Sequence, residues 1–217
     1  ERSGLFRSID RRAFQQSPKD VQLAPRFVDW RQINAQFLVV GRVFFQTDGQ
    51  VRVEVRLWDV LAGQHLQGSS LTTPRRYWRR VSHLISDMIY ERVTGEGGYF
   101  DTRIVYVAEY GTAGNRVKRL ALMDQDGENH QFLTDGTHMA LTPRFSPTVQ
   151  EITYLSYYND QPRVYIYNIN TGRQEALGDF PVMTFALRFS PYGTQVILSM
   201  ARTANSDIYL LALRPRL

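Results

Sequence analysis

The tripeptide Phe145-Ser146-Pro147 returns 44 residues later as Phe189-Ser190-Pro191, and the preceding Arg144 returns as Arg188. The offset continues beyond the motif: Ile152 and Tyr154 correspond to Val196 and Leu198, and Tyr165-Ile166 to Tyr209-Leu210. A looser, earlier copy sets Leu122-Met123-Asp124-Gln125-Asp126-Gly127 against Tyr167-Asn168-Ile169-Asn170-Thr171-Gly172 at an offset of 45. Repeats of about 40–50 residues belong either to helical arrays or to propeller blades of four short strands. Residues 151–157 and 163–169 alternate with period two and are rich in β-branched and aromatic side chains, and Asn170-Thr171-Gly172 supplies a turn after them. That pattern excludes helical repeats and predicts blades.

The expected strands are 103–110, 117–124 and 130–133 in a first blade, 142–146, 151–157, 163–169 and 174–178 in a second, and 186–190, 195–200 and 206–213 in a third. No innermost strand precedes Arg103. At this period residues 99–217 hold about two and a half blades, whereas a closed ring has about four to eight. The expectation is a piece of a larger ring, with the missing inner strand supplied from beyond Leu217.

Residues 1–98 read as a mixed α+β domain. Phe27, Trp30 and Ile33 share one face of a short helix over 26–33. The run 37–46, the turn Thr47-Asp48-Gly49-Gln50 and the alternating Val51, Val53, Val55 and Leu57 make a hairpin, since glycine tolerates the positive φ that tight turns need. Residues 65–72 add a third strand. A long helix then begins with Thr73 as its cap and Pro74 in its first position, and ends at Gly95. Its apolar stripe is Trp78, Val81, Leu84, Ile85, Met88 and Ile89, with His83 on the solvated side. Gly95, Gly97 and Gly98 form a linker that follows a helix and precedes a strand, the reverse of a phosphate-binding loop. The segment Glu1 to Gly4 reads as the last turn of a helix, so residues are expected before it.

Charge divides along the same line. Residues 1–98 carry 15 Lys and Arg against 10 Asp and Glu, and residues 99–217 carry 11 against 11. This asymmetry points to an acidic partner for the first part. Arg75, Arg76, Arg79 and Arg80 fall on the outer side of the long helix. They read as a solvated face or as a phosphate-binding one; no RRM, KH or helix-turn-helix pattern accompanies them, so no nucleic-acid partner is expected.

Several chemistries have no residues to carry them. There are no cysteines, which excludes disulfides and thiolate chemistry, and no apolar run approaches the ~18 residues of a membrane span. His65, His83, His130 and His138 show no metal-ligand spacing, and Asp124-x-Asp126-Gly127 starts like a calcium loop without continuing as one. There is no G-x-S-x-G. Neither catalysis, a cofactor nor a metal is expected.

Ser3-Gly4-Leu5-Phe6-Arg7, Ile9-Asp10, the meander from Val51 to Gly63, Thr102-Arg103-Ile104-Val105-Tyr106-Val107, Thr142-Pro143-Arg144-Phe145-Ser146-Pro147, and Phe180-Pro181 through Arg188-Phe189-Ser190-Pro191 resemble, in that order, the TolB family of the Tol–Pal envelope system. The chain departs from the family turn Asp-Gly after Ser-Pro, having Thr148-Val149 and Tyr192-Gly193. The resemblance implies an α/β domain over 1–98 and a fragment of a six-bladed propeller over 99–217. It also implies a non-enzymatic periplasmic protein that binds the lipoprotein Pal through one propeller face and serves outer-membrane integrity and cell division. TolA is implied as a second partner through an extreme N-terminal segment to which no residue here corresponds. On the family pattern the Pal face is formed by loops that lead into the innermost strands: His138, Met139, Ala140, Thr142 and Arg144 in one blade, and Met183, Thr184, Phe185, Ala186 and Arg188 in the next. Packing between blades is the alternative role for Met183, Thr184 and Phe185. The alternative function is the propeller portion of a serine peptidase whose catalytic domain lies elsewhere.

Overall fold

The computed structural model describes residues 3–158, 161–178, 183–202 and 205–213; the side chains of 158, 161, 183–186 and 202 lie outside the description. Backbone contacts divide the chain into two units, Glu1–Asp101 and Thr102–Leu217.

In the first unit, β1 (Phe37–Phe45), β2 (Gln50–Asp59) and β3 (Gln64–Pro74) form an antiparallel meander. Gly49, at φ +80°, turns the β1–β2 hairpin, and the Asp48 carboxylate accepts the Gln50 N–H at 3.0 Å. Alternation sets the faces: Val51, Val55 and Leu57 are buried, and Leu38 and Val40 of β1 pack on the opposite face with Trp30, Ala35 and Val60. Two short helices, α1 (Pro18–Leu23) and α2 (Phe27–Gln32), precede the sheet. Gln16 ties them together. Its Oε1 accepts the Arg26 N–H and the Trp30 indole N–H, and its Nε2 donates to the Ala24 carbonyl.

The long helix, α3 (Trp78–Thr94), differs from its expected form in two respects. Thr73 and Pro74 are the last residues of β3, opposite Val51 and Gln50, and a 3-10 turn at Arg75–Tyr77 precedes the helix. Proline is tolerated there because β3 is an edge strand and Pro74 stands at its end. His83 is buried, whereas Leu84 and Trp78 are exposed. Val81 is buried and Ile85, Met88 and Ile89 are half-buried as expected, so the inward face is the expected stripe rotated to take in His83 and Tyr90 and to leave out Trp78 and Leu84. Gly95 ends it in the left-handed conformation, as expected.

The glycines that follow are held rather than loose. The Asp87 carboxylate accepts the Phe100 N–H at 2.6 Å and the Asp101 N–H at 3.0 Å. A Cβ on Gly98 would collide with the Asp87 side chain. This attaches the chain to the first unit as far as Asp101.

The second unit contains three antiparallel sheets. β4 (Arg103–Tyr110), β5 (Val117–Asp124) and β6 (Gln131–Phe132) form the first. β7 (Ala140–Phe145), β8 (Glu151–Tyr158), β9 (Gln161–Asn168) and β10 (Gln174–Ala176) form the second, and β11 (Met183–Phe189), β12 (Gln195–Arg202) and β13 (Asn205–Ala212) the third. The sheets stack face to face through apolar layers. Leu120, Ala140, Ile152 and Tyr154 form one layer, and Leu155, Val164, Ile166, Leu187, Val196, Leu198 and Met200 the next.

The 44-residue offset is visible in the hydrogen bonds. Ser146 N–H donates to the Glu151 carbonyl and Ser190 N–H to the Gln195 carbonyl, both at 2.8 Å. Ile169 N–H to Gln150 and Leu213 N–H to Thr194 repeat one another in the same way. The expected strands are present, with one correction. Residues 140–142 and 183–185 lie within the first strands of their sheets, not in loops leading to them, because β8 and β12 extend far enough to pair with them.

Candidate partner-binding face

β7 and β11, the first strands of consecutive sheets, touch one another. Each contains a β-bulge at the same place. Leu141 pairs with Leu155 and Arg144 with Thr153, so two residues of β7 intervene where β8 has one. Phe185 pairs with Ser199 and Arg188 with Ile197, the same arrangement 44 residues on. A bulge bends the strand and re-aims the side chains that follow it. Within the first bulge Thr142 has φ +47°, a left-handed conformation that a β-branched residue seldom adopts.

Each arginine emerging from a bulge makes the same bond. Arg144 Nη1 donates to the Pro143 carbonyl at 2.8 Å, and Arg188 Nη1 to the Leu187 carbonyl at 3.0 Å. Burial lowers the Arg144 pKa, and the positive charge of Arg188 lowers it further. Guanidinium stays protonated at neutral pH all the same. Among the described residues neither arginine has an ion-pair partner. Two like charges thus stand near one another without neutralisation, an arrangement that favours an incoming carboxylate or other anion.

The other expected residues divide into four groups. Thr142 is exposed beside Arg144, and Met139 is exposed before β7. Ala140 is fully buried in the layer with Leu120 and Ile152, so it packs and offers no contact surface. The backbone of Met183, Thr184 and Phe185 pairs with Ala201, Met200 and Ser199. The side chains of Met183, Thr184, Phe185 and Ala186 lie outside the described residues.

His138 belongs elsewhere. With Asp135, Tyr154, Tyr165, Tyr167 and Gln174 it lines a cavity of about 570 Å³. Tyr154 donates to Gln174 Oε1 at 2.6 Å and stacks on Tyr165. Burial pushes its phenol pKa up, and the neighbouring Tyr165, Tyr167 and Asp135 reinforce the shift. Sequence reasoning missed this cavity and both bulges. Pro143 inside a strand was the one available signal, since proline there marks an edge or a bulge. Among the described residues no cluster of three or more His, Asp or Glu could hold a metal ion.

An antiparallel meander with a long helix, followed by face-stacked sheets of three or four strands and 44-residue period, defines an α+β domain joined to propeller blades. Models of the TolB amino-terminal domain and the TolB β-propeller domain match residues 1–66 and 90–217. The chain belongs to the TolB family. It is 58% identical over 185 residues to the Tol-Pal system protein TolB of Paramagnetospirillum magneticum, covering 85% of this chain and 41% of that protein. It also superposes on the crystal structure of TolB from Acinetobacter baumannii with a TM-score of 0.80 and 28% identity, over 89% of this chain and 48% of that one. The chain therefore spans less than half the length of these relatives.

Proposed function

We propose that this chain is part of a non-enzymatic periplasmic interaction protein of the Tol–Pal system, with residues 1–98 as its amino-terminal domain and 99–217 contributing blades. Its relatives carry that system's name, and family membership favours this reading over a peptidase propeller. The partner of the propeller face is Pal, and TolA engages residues outside this chain. In this role the protein supports outer-membrane integrity and cell division.

The observation that carries the assignment of the face is the pair Arg144 and Arg188, set at matching bulges and lacking carboxylate partners among the described residues. An acidic group of Pal docking between them would offset the burial, and then the Arg188 charge, that lower the Arg144 pKa. Titration calorimetry of the full-length protein with purified Pal tests the reading. Arg144→Ala with Arg188→Ala should weaken binding at least about tenfold, or about 1.4 kcal/mol. Wild-type affinity in a folded double variant would move the site away from this face.

A further inference from the structure

A second basic surface lies in the first unit, in residues that the Pal reading does not use. Three rings stand exposed there: Phe45 at 70%, Trp78 at 54% and Tyr77 at 48%. Each carries an arginine. The Arg75 guanidinium lies 5.3 Å from the Phe45 ring centroid, Arg76 lies 4.8 Å from Tyr77, and Arg79 lies 5.1 Å from Trp78. A fourth stack, Arg52 over Phe44 at 4.7 Å, lies at the same end of the hairpin on the opposite face of the sheet. The backbone brings these pairs to one end of the sheet: Pro74 is opposite Gln50, and Arg75 N–H donates to the Gly49 carbonyl. Two nearby carboxylates are already engaged, Glu54 with Arg52 and Asp101 with Arg80.

We infer that this end of the first unit is a docking surface for an anionic phospholipid membrane. An acidic peptide would require the arginines alone and would leave three exposed rings and the neighbouring exposed Val43 unused. A headgroup layer offers both kinds of partner in one plane, phosphates for guanidinium and an apolar boundary for aromatic rings. Arginine stacked on an exposed ring presents charge and apolar surface together. Among the described residues no helix is long and apolar enough to cross a membrane.

The test is co-sedimentation of the full-length protein with vesicles of phosphatidylcholine alone or mixed with phosphatidylglycerol. At about 0.1 M salt, where screening acts over about 10 Å, the acidic vesicles should bind and the neutral ones should not. Arg75→Gln and Arg76→Gln should each lower the partition about fivefold, in line with the ~1 kcal/mol that one basic residue contributes near an anionic surface. Trp78→Ala should lower it further, which a purely electrostatic surface would not show. Because Trp30 is buried, Trp58 is half-buried against the same core and Trp78 is exposed, the wild-type indole emission should also shift to the blue on acidic vesicles, and Trp78→Phe should lose most of that shift. Equal binding to neutral vesicles overturns the inference. So does wild-type partition in a variant combining Arg75→Gln, Arg76→Gln and Trp78→Ala, or capture by soluble polyglutamate with no binding to acidic vesicles.

Discussion

Arg144 and Arg188 each leave a bulge by the same step and donate Nη1 to the carbonyl of the residue before them, at 2.8 and 3.0 Å. The two strands that hold them are in contact, and the charge of one bears on the ionisation of the other. A pair of this kind adds nothing to stability through its own electrostatics, and its repulsion would fall if an anion docked between the two.

Stability and binding should therefore separate at this pair. Arg188→Glu removes the repulsion and sets a carboxylate near Arg144. Its melting temperature should equal or exceed that of the wild type, while affinity for Pal falls at least about tenfold. A loss of several degrees, read by differential scanning calorimetry on the full-length protein, would mark Arg188 as structural instead.

The backbone of the first bulge carries strain that glycine would release. A β-branched residue in the left-handed region costs about 1–3 kcal/mol, and the entropy glycine loses on folding offsets part of that gain. Thr142→Gly should raise unfolding free energy by about 0.5–1 kcal/mol in urea titration. A destabilised variant would mean that the Thr142 side chain supports the bulge.

Asp87 offers a third test. Asp87→Ala leaves the Phe100 and Asp101 N–H groups without their acceptor and should cost about 1–3 kcal/mol. Gly98→Ala should mimic it by driving a methyl group into the Asp87 side chain. Hydrogen exchange should show the loss of protection at residues 100 and 101 in both variants.

Tyr154 predicts an alkaline limit. Its folded pKa is raised by burial first and by nearby groups second. The folded state thus holds this proton more tightly than the unfolded chain, whose tyrosines titrate near 10. The resulting stability is fully present below about pH 10 and is lost as pH rises above it. Tyr154→Phe should flatten that alkaline decline, at the expense of the Gln174 hydrogen bond, about 0.5–1.5 kcal/mol. Ultraviolet titration should find one phenol fewer resisting ionisation in the variant.

Much of the fold was legible because its signals are local. Asp48-Gly49 gives the hairpin, alternation gives β2, β8 and β9, and the repeat aligns the second and third sheets. The failures have physical causes. Pro74 suits the first turn of a helix and the end of an edge strand equally well, and the sheet decides between them. The inward face of α3 is chosen by the sheet it packs on, which buries His83 in place of Leu84. α1 has six residues, too few to show a period, although Ser17-Pro18 with Asp20 is a capping signature. At the candidate face, the motif located the two arginines but not their geometry. A comparison of the copies could not reveal the bulge, because both copies contain it. The tyrosine-walled cavity brings together side chains from β8, β9 and the segment before β7, and no short-range pattern encodes that meeting.

The matched bulges also limit how such a chain can change over time. One extra residue in each first strand is already counted in the period, so the two copies share a phase as well as a length. Deleting Thr142 or Pro143 would restore an unbroken ladder, with Leu141 still opposite Leu155 and Arg144 still opposite Thr153, and would remove the bend that aims the residues after it. It would leave Arg144 facing differently from Arg188. Length changes are tolerable where the phase is reset, in turns such as Thr148-Val149 and Tyr192-Gly193.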